Sequence, residues 1–320
     1  EIYSIPQAKK GTKPIEAQLI KWDNDKDYEL LLNLSSPERA LLILDYAINT
    51  IVPQTQIAQE FMTTTYGPIQ THVLSINKDK YTNVYNPAKG EIISKTPMCG
   101  NKELDKAVEA AEKAFVSWSS LPSNNRAQIL FNYRSLLKDN LEEIAKIIST
   151  ENGKTLAEAK GDIQRGFEVV EFACGISQLS KGESLAEVAP NIDATTIREP
   201  LGICAGISPF NFPAMVPMWM FPLAIACGNT FILKPSEKVP LTAVKLVKLF
   251  EKAGLPKGVL NLIHGGKEIV DGLCTHPKIS AISFVGSSIV GHHVYSLASL
   301  NGKRVQAGGA AKNALLVMGD

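Results

Sequence analysis

The chain has almost no charge imbalance: among its 320 residues, 33 Lys and Arg face 32 Asp and Glu, for a formal net charge of +1. No global field draws it to nucleic acid or to an anionic membrane. Cysteines are few, at positions 99, 174, 204, 227 and 274, and no two of them form a Cys-x-x-Cys pair. In a long chain that is 45% hydrophobic, that scatter reads as reduced thiols of an intracellular protein and not as a disulfide framework. Long apolar runs are also missing. The longest, Phe212 to Cys227, is interrupted by Pro213, Pro217 and Pro222 and stops at Gly228, so it reads as a buried helix and not a membrane span. No His/Cys/Asp cluster has zinc-like spacing, and no metal site is expected. A Gly-x-Ser-x-Gly elbow, a P-loop and the Gly-x-Gly-x-x-Gly dinucleotide fingerprint are all absent. His292 and His293 are adjacent on a predicted helix and so point to different faces. Met215, Met218 and Met220 with Trp219 read as core packing.

What the chain does have, after Arg198, is a regular alternation of strands and helices. Leu201–Ile207, Asn229–Leu233, Val259–Ile263, Ile279–Val285 and Lys303–Gln306 read as strands. Between them, 213–228, 240–254, 267–274 and 287–300 carry helical patterns. Strands and helices alternating at this spacing predict an α/β fold, an open parallel sheet with helices on both faces. A last strand over Asn313–Met318 is expected to begin the next domain. Upstream, Asn86-Pro87-Ala88-Lys89-Gly90 is the turn of a hairpin, followed by helices over 101–117, 123–140, 141–152 and 156–175. Residues 1–70 read differently. Ser35 with Glu38 looks like a capping box before a periodic run from Arg39 to Val52, which suggests a helical extension or an upstream remnant, of unassigned role. Residues 1–25 have neither signal-peptide nor Arg-rich transit form.

Three strand-to-helix junctions carry residues suited to a dinucleotide, at the sheet edge where open α/β proteins bind ligands. In Ile207-Ser208-Pro209-Phe210-Asn211-Phe212-Pro213, prolines bracket a turn that fixes the amide of Asn211, a group able to donate to a developing oxyanion or simply to fill a turn. In Leu233-Lys234-Pro235-Ser236-Glu237, a strand delivers a cation and a carboxylate that can hold ribose hydroxyls, or can be a solvated strand end. In Phe284-Val285-Gly286-Ser287, a glycine turn opens a helix whose N–H groups can hold a pyrophosphate oxygen.

These three strings in this order and spacing resemble the aldehyde dehydrogenase superfamily from about residue 75 onward. Within it, Glu168-Val169-Val170-Glu171-Phe172-Ala173-Cys174-Gly175, Asn211-Phe212-Pro213-Ala214-Met215-Val216-Pro217 and Gly302-Lys303-Arg304-Val305-Gln306-Ala307 resemble the CoA-acylating methylmalonate-semialdehyde dehydrogenases. The resemblance implies NAD as cofactor, bound through Ser208, Phe210, Lys234, Glu237, Lys238 and Ser287, with Gly309 nearby. Lys238 stands where the superfamily often has arginine. It also implies Asn211 as the oxyanion-stabilising amide and Arg165 as the cation facing the substrate carboxylate. Ala307 departs from the hydrolytic members, which carry a glutamate there as the base that activates water. Alanine cannot do this, which fits a thioester discharged by coenzyme A as co-substrate. A further departure, Gly308-Gly309-Ala310-Ala311, alters the local turn. The nucleophilic cysteine is expected beyond Asp320, since none of the five cysteines sits in its motif, and the 320 residues alone are expected to be inactive.

The resulting expectation is an NAD-dependent, CoA-acylating oxidation of malonate or methylmalonate semialdehyde, with small-molecule partners only. The division is an extension over 1–70, an NAD-binding domain over 71–310 with an oligomerisation strand region near 182–198, and the start of a catalytic domain over 311–320. The complete protein is expected to be a homo-oligomer, in the cytoplasm of a bacterium or in the mitochondrial matrix of a eukaryote. A non-enzymatic NAD-binding fragment and a hydrolytic aldehyde dehydrogenase remain the alternatives, the second opposed by Ala307.

Overall fold

The computed structural model describes the backbone of residues 2–5, 15–21 and 28–32 and the whole of residues 81–311. Two compact units are present, Glu1–Asn83 with Ser94–Pro97, and Val84–Ile93 with Met98–Asp320. In the first, β1 (Ile2–Ile5), β2 (Ile15–Lys21) and β3 (Tyr28–Leu32) form an antiparallel sheet in the order β1-β2-β3. Ile15, Ala17 and Leu19 alternate with Glu16 and Gln18, which is the two-residue period of a strand. The predicted helix from Arg39 to Val52 and the predicted strand Asn313–Met318 lie outside the described residues.

The hairpin stands as expected: β4 (Tyr81–Tyr85) and β5 (Ile92–Pro97) pair around Asn86, whose Oδ1 accepts from the Ala88 N–H at 3.0 Å. Four helices follow, α1 (Asn101–Ser120), α2 (Ser123–Asp139), α3 (Leu141–Asn152) and α4 (Leu156–Cys174), with a short α5 (Ile176–Leu179). An exposed hairpin of β6 (Ser184–Ala189) and β7 (Ile192–Thr195) comes next.

The rest of the second unit is the predicted open sheet. Its strands β8 (Ile203–Ile207), β9 (Thr230–Lys234), β10 (Leu260–Leu262), β11 (Ile279–Val285) and β12 (Arg304–Gly308) are all parallel, in the order β10-β9-β8-β11-β12. The crossovers are α6 (Met215–Ala226), α7 (Pro240–Lys252), α8 (Lys267–Thr275) and α9 (Ser288–Leu300). Successive strand residues feed two separate cores. Cys204, Phe231 and Leu233 pack with α2, α3, α4, α6 and α7, while Ile203, Ala205, Ile207 and Ile232 pack with α1, α8 and α9. Both faces are therefore covered, which is why β8 and β9 are buried along their whole length. At roughly 1.5–3 kcal/mol per large apolar side chain buried, this double burial dominates the choice of fold.

Strand starts shift slightly from the sequence reading. β8 begins at Ile203 and not at Leu201, because the Asn229 Oδ1 accepts the N–H groups of Leu201 and Gly202 at 2.6 and 3.1 Å. Those groups are then unavailable to a ladder, and Gly202 takes φ +118°.

α4 crosses α6 at close range through Gly166, where a Cβ would lie 2.9 Å from the Met218 Cβ and 3.3 Å from the Met215 Cα. An alanine there gains about 1 kcal/mol of helix propensity but meets backbone that cannot yield, and overpacking costs typically 1–3 kcal/mol. The collision wins. Gly166→Ala is expected to destabilise the chain by up to about 2 kcal/mol in urea unfolding, and a stabilised variant would mean that α4 and α6 sit further apart.

Candidate functional site

β8 and β11 are neighbours, but β9 and β10 lie on one side of them and β12 on the other. The chain therefore reverses direction across the sheet at the β8/β11 boundary, and the loops leaving the two strands diverge to open a crevice at their carboxyl ends. Four loops meet along this edge: Ser208 to Ala214 after β8, Pro235 to Val239 after β9, Gly286 and Ser287 after β11, and Gly309 to Ala311 after β12.

Register fixes what each loop presents. Ile207 pairs with Lys234, and the Ser208 N–H donates to the Lys234 carbonyl at 3.1 Å. Lys234 is 4% exposed, so its ammonium is held inside the fold. It donates to the Pro235 carbonyl at 3.0 Å and lies 3.6 Å from Glu237 Oε2. Burial pulls the Lys234 pKa below the usual lysine range, and the Glu237 charge opposes this. Lys238 on the same loop reaches across to lie 5.0 Å from the centre of the exposed Phe210 ring. The sequence candidates Ser208, Phe210, Lys234, Glu237 and Lys238 are thus brought together by two adjacent strands.

On the other side of β8, Ser287 is the N-cap of α9, its Oγ accepting from the Val290 N–H at 3.4 Å. Gly309 lies against Ser288, whose Oγ also accepts from the Ala310 N–H at 3.2 Å. The α9 N-terminus therefore faces the same edge with its backbone donors. Ala307 is on β12 opposite Phe284.

Asn211 is exposed within the β8–α6 turn. Arg165 lies on α4, one residue before the Gly166 contact with α6. Its guanidinium is exposed and pairs with Glu168 at 3.3 Å.

Two buried polar atoms at this edge find no hydrogen-bond partner among the described residues, Ser208 Oγ and His264 Nδ1. His264 was missed in the sequence. It follows the Val259–Ile263 run as Lys234 ends β9 and as Ser208 follows β8, and that shared position was the available signal. A row of buried polar groups, Ser208, Lys234 and His264, thus runs across three neighbouring strand ends. Orphaned buried polar atoms of this kind are what a polar ligand such as a ribose would satisfy, so the residues present fit a dinucleotide.

Four of the five cysteines do not look like nucleophiles. Burial pushes the thiol of Cys174 to about 11, Cys204 to about 12 and Cys274 to about 11, and raises Cys227. A thiol raised in this way carries almost no thiolate near neutrality. No group of three or more His, Cys, Asp or Glu suited to a metal occurs among the described residues, and no helix among them is long and apolar enough to cross a membrane.

The sequence profile of the aldehyde dehydrogenase family matches residues 75–320. The chain belongs to that family. It is 55% identical over 237 residues to malonate-semialdehyde dehydrogenase 1 of Bacillus licheniformis, covering 74% of this chain and 49% of that protein. It is 52% identical over 238 residues to malonate-semialdehyde dehydrogenase of Pseudomonas aeruginosa, covering 74% and 48%. Among solved structures, one from Sinorhizobium meliloti 1021, described as a methylmalonate-semialdehyde dehydrogenase complexed with NAD, matches with a TM-score of 0.73 at 47% identity, over 76% of this chain and 49% of that one. The methylmalonate-semialdehyde dehydrogenase of Oceanimonas doudoroffii matches with a TM-score of 0.73 at 45% identity, over 75% and 49%. The chain spans about half the length of these relatives.

His264 supplies a test of this geometry in solution. Burial, reinforced by the Lys234 charge, pulls its imidazole from 6.5 to about 4. The unfolded chain therefore takes up this proton first as pH falls. The stability contributed by neutral His264 is complete above about pH 6.5 and is lost between there and about pH 4, to a limit of roughly 3 kcal/mol. His264→Gln is expected to flatten unfolding stability against pH in that window, and an unchanged profile would place His264 in contact with solvent.

Proposed function

We propose that this chain is the NAD-binding half of a CoA-acylating aldehyde dehydrogenase that oxidises malonate or methylmalonate semialdehyde. The observation that carries the cofactor assignment is the buried row of Ser208, Lys234 and His264 beside the α9 N-terminus. Lys234 and Glu237 would hold the ribose hydroxyls of NAD, Phe210 and Lys238 would flank it, and Ser287 with the first turn of α9 would receive its pyrophosphate. The relatives' names support the substrate class, and the solved NAD complex supports the cofactor.

NAD, when bound, accepts the hydride. The remaining steps belong to the protein. A cysteine thiolate outside these 320 residues adds to the aldehyde carbon, and the Asn211 amide donates to the oxyanion of the thiohemiacetal. Loss of hydride leaves a thioester on the cysteine. The coenzyme A thiolate attacks that thioester, forms the acyl-CoA and releases the cysteine thiolate. Arg165 would give up its exposed pair with Glu168 to hold the substrate's carboxylate bidentately. In this reading residues 71–310 are the NAD-binding domain and 311–320 begin the catalytic domain. The β6–β7 hairpin, with Leu185 and Ile192 exposed, contributes to a homo-oligomer of the complete protein.

Because none of the five cysteines sits in the family's nucleophile motif and four of them have raised thiols, the 320-residue chain is expected to reduce no NAD when given either semialdehyde. Measurable NADH would place the nucleophile among the five cysteines and overturn the division of labour proposed here.

In a chain extended to the length of its relatives, Arg165→Leu is expected to raise KM for a semialdehyde at least tenfold more than for propanal. Equal changes would leave Arg165 as a surface residue of α4. In the same protein Ala307 leaves water without a base, an effect worth about 10²–10⁴-fold on hydrolysis. Stopped-flow traces without coenzyme A should therefore show one burst of NADH and then near-arrest, with steady turnover on addition of coenzyme A. Equal linear rates with and without it would instead favour a hydrolytic enzyme.

A further inference from the structure

We infer that Asn152, Lys154 and Asp162 form a clamp that positions the Asn211 amide, an inference that rests on reading Asn211 as the oxyanion donor. The turn that carries Asn211 has little order of its own. Among the described residues, the N–H groups of Phe210, Asn211 and Phe212 donate to no backbone carbonyl. The turn is held from outside instead, by the corner between α3 and α4.

Each neighbour of Asn211 is held by a different atom of that corner. Before it, the Phe210 carbonyl accepts from Asn152 Nδ2 at 2.8 Å. After it, the Phe212 ring lies 4.0 Å from Lys154 Nζ. At the start of α6, the Met215 N–H donates to Asp162 Oδ1 at 2.7 Å, while Asp162 Oδ2 accepts from Lys154 Nζ at 2.8 Å. The Asp162 side chain is fully buried and that of Lys154 is 18% exposed. The three contacts bracket four residues of chain.

An ion pair this enclosed adds little to stability, because desolvation offsets its attraction. What it supplies is direction. The carboxylate fixes where α6 begins, and the ammonium ties that point to the Phe212 ring, so Asn211 is left with little freedom between them. An oxyanion donor is effective only within a few tenths of an ångström of its place, and a displacement of about 1 Å can cost about a hundredfold in rate. The adjacent Glu151 acts elsewhere: it accepts the Leu241 and Thr242 N–H groups at 2.8 Å and holds the start of α7. The two functions of the corner are therefore separable.

The test uses Asn152→Ala and Lys154→Met, singly and each combined with Asn211→Ala. In the 320-residue chain, hydrogen exchange should quicken at the Met215 and Val216 N–H groups, which donate to Asp162 Oδ1 and the Phe212 carbonyl, and stay unchanged at 241–242. Exchange that quickens throughout would reduce the corner to a general stabiliser and overturn the inference. In the extended chain, each single variant should lower kcat about 10- to 100-fold with the dissociation constant for NAD within about twofold. Added to Asn211→Ala, neither should lower kcat further. Full multiplicative losses in the Asn211→Ala background would overturn the clamp while leaving the oxyanion reading intact. An Asn211→Ala protein with normal turnover would remove both. Lys154→Arg, which keeps the charge, should recover most of the turnover lost in Lys154→Met, and failure to do so would count against the role of the cation.

Discussion

The candidate site depends on the parallel pairing of β8 with β9 on one side and β11 on the other. Because both faces of the sheet are covered, the apolar strand side chains alternate between two cores, and the buried polar groups Ser208, Lys234 and His264 gather at the strand ends. Ile207 pairs with Lys234 and with Phe284, so one register places three loops at a common height. A slip of one residue would turn Ile207 and Leu233 to the wrong cores and carry Lys234 out of the row with Ser208. Packing and site geometry are thus set by the same pairing.

The buried charges follow from this arrangement. Lys234 remains enclosed because its own loop supplies the Pro235 carbonyl and the Glu237 carboxylate. Asp162 remains enclosed because it caps α6 and meets Lys154. Glu151 is the third case. Burial drives its carboxyl up to about 7 despite donors from Leu241 and Thr242, so desolvation outweighs three hydrogen bonds there. Lys234 closes β9, Glu151 lies in the last turn of α3 and Asp162 in the second turn of α4.

Much of this was legible in the sequence, for identifiable reasons. The β/α alternation after Arg198 is visible because each strand is a short apolar run closed by glycine, proline or asparagine. The three junction strings are local, so their residues could be named in advance and the structure brings them to one edge. The resemblance to the family, confirmed over residues 75–320, rested on the same strings. What escaped was non-local. Asn152, Lys154 and Asp162 reach the Asn211 turn from 53 to 58 positions away, and nothing in a helix pattern reveals which turn a side chain will hold. His264 carried a positional signal, a polar residue closing an apolar strand, but its burial depends on neighbours across the sheet.

The central claim is that the carboxyl edge of β9, β8 and β11 is a dinucleotide site that this chain forms by itself. Calorimetric titration of the 320-residue chain with NAD, repeated with Lys234→Met, addresses it most directly. A charged hydrogen bond is worth about 1.5–3 kcal/mol, so one-site binding to the wild type should weaken by about 10- to 100-fold in the variant. Absence of binding, or equal affinity in both proteins, would contradict the account.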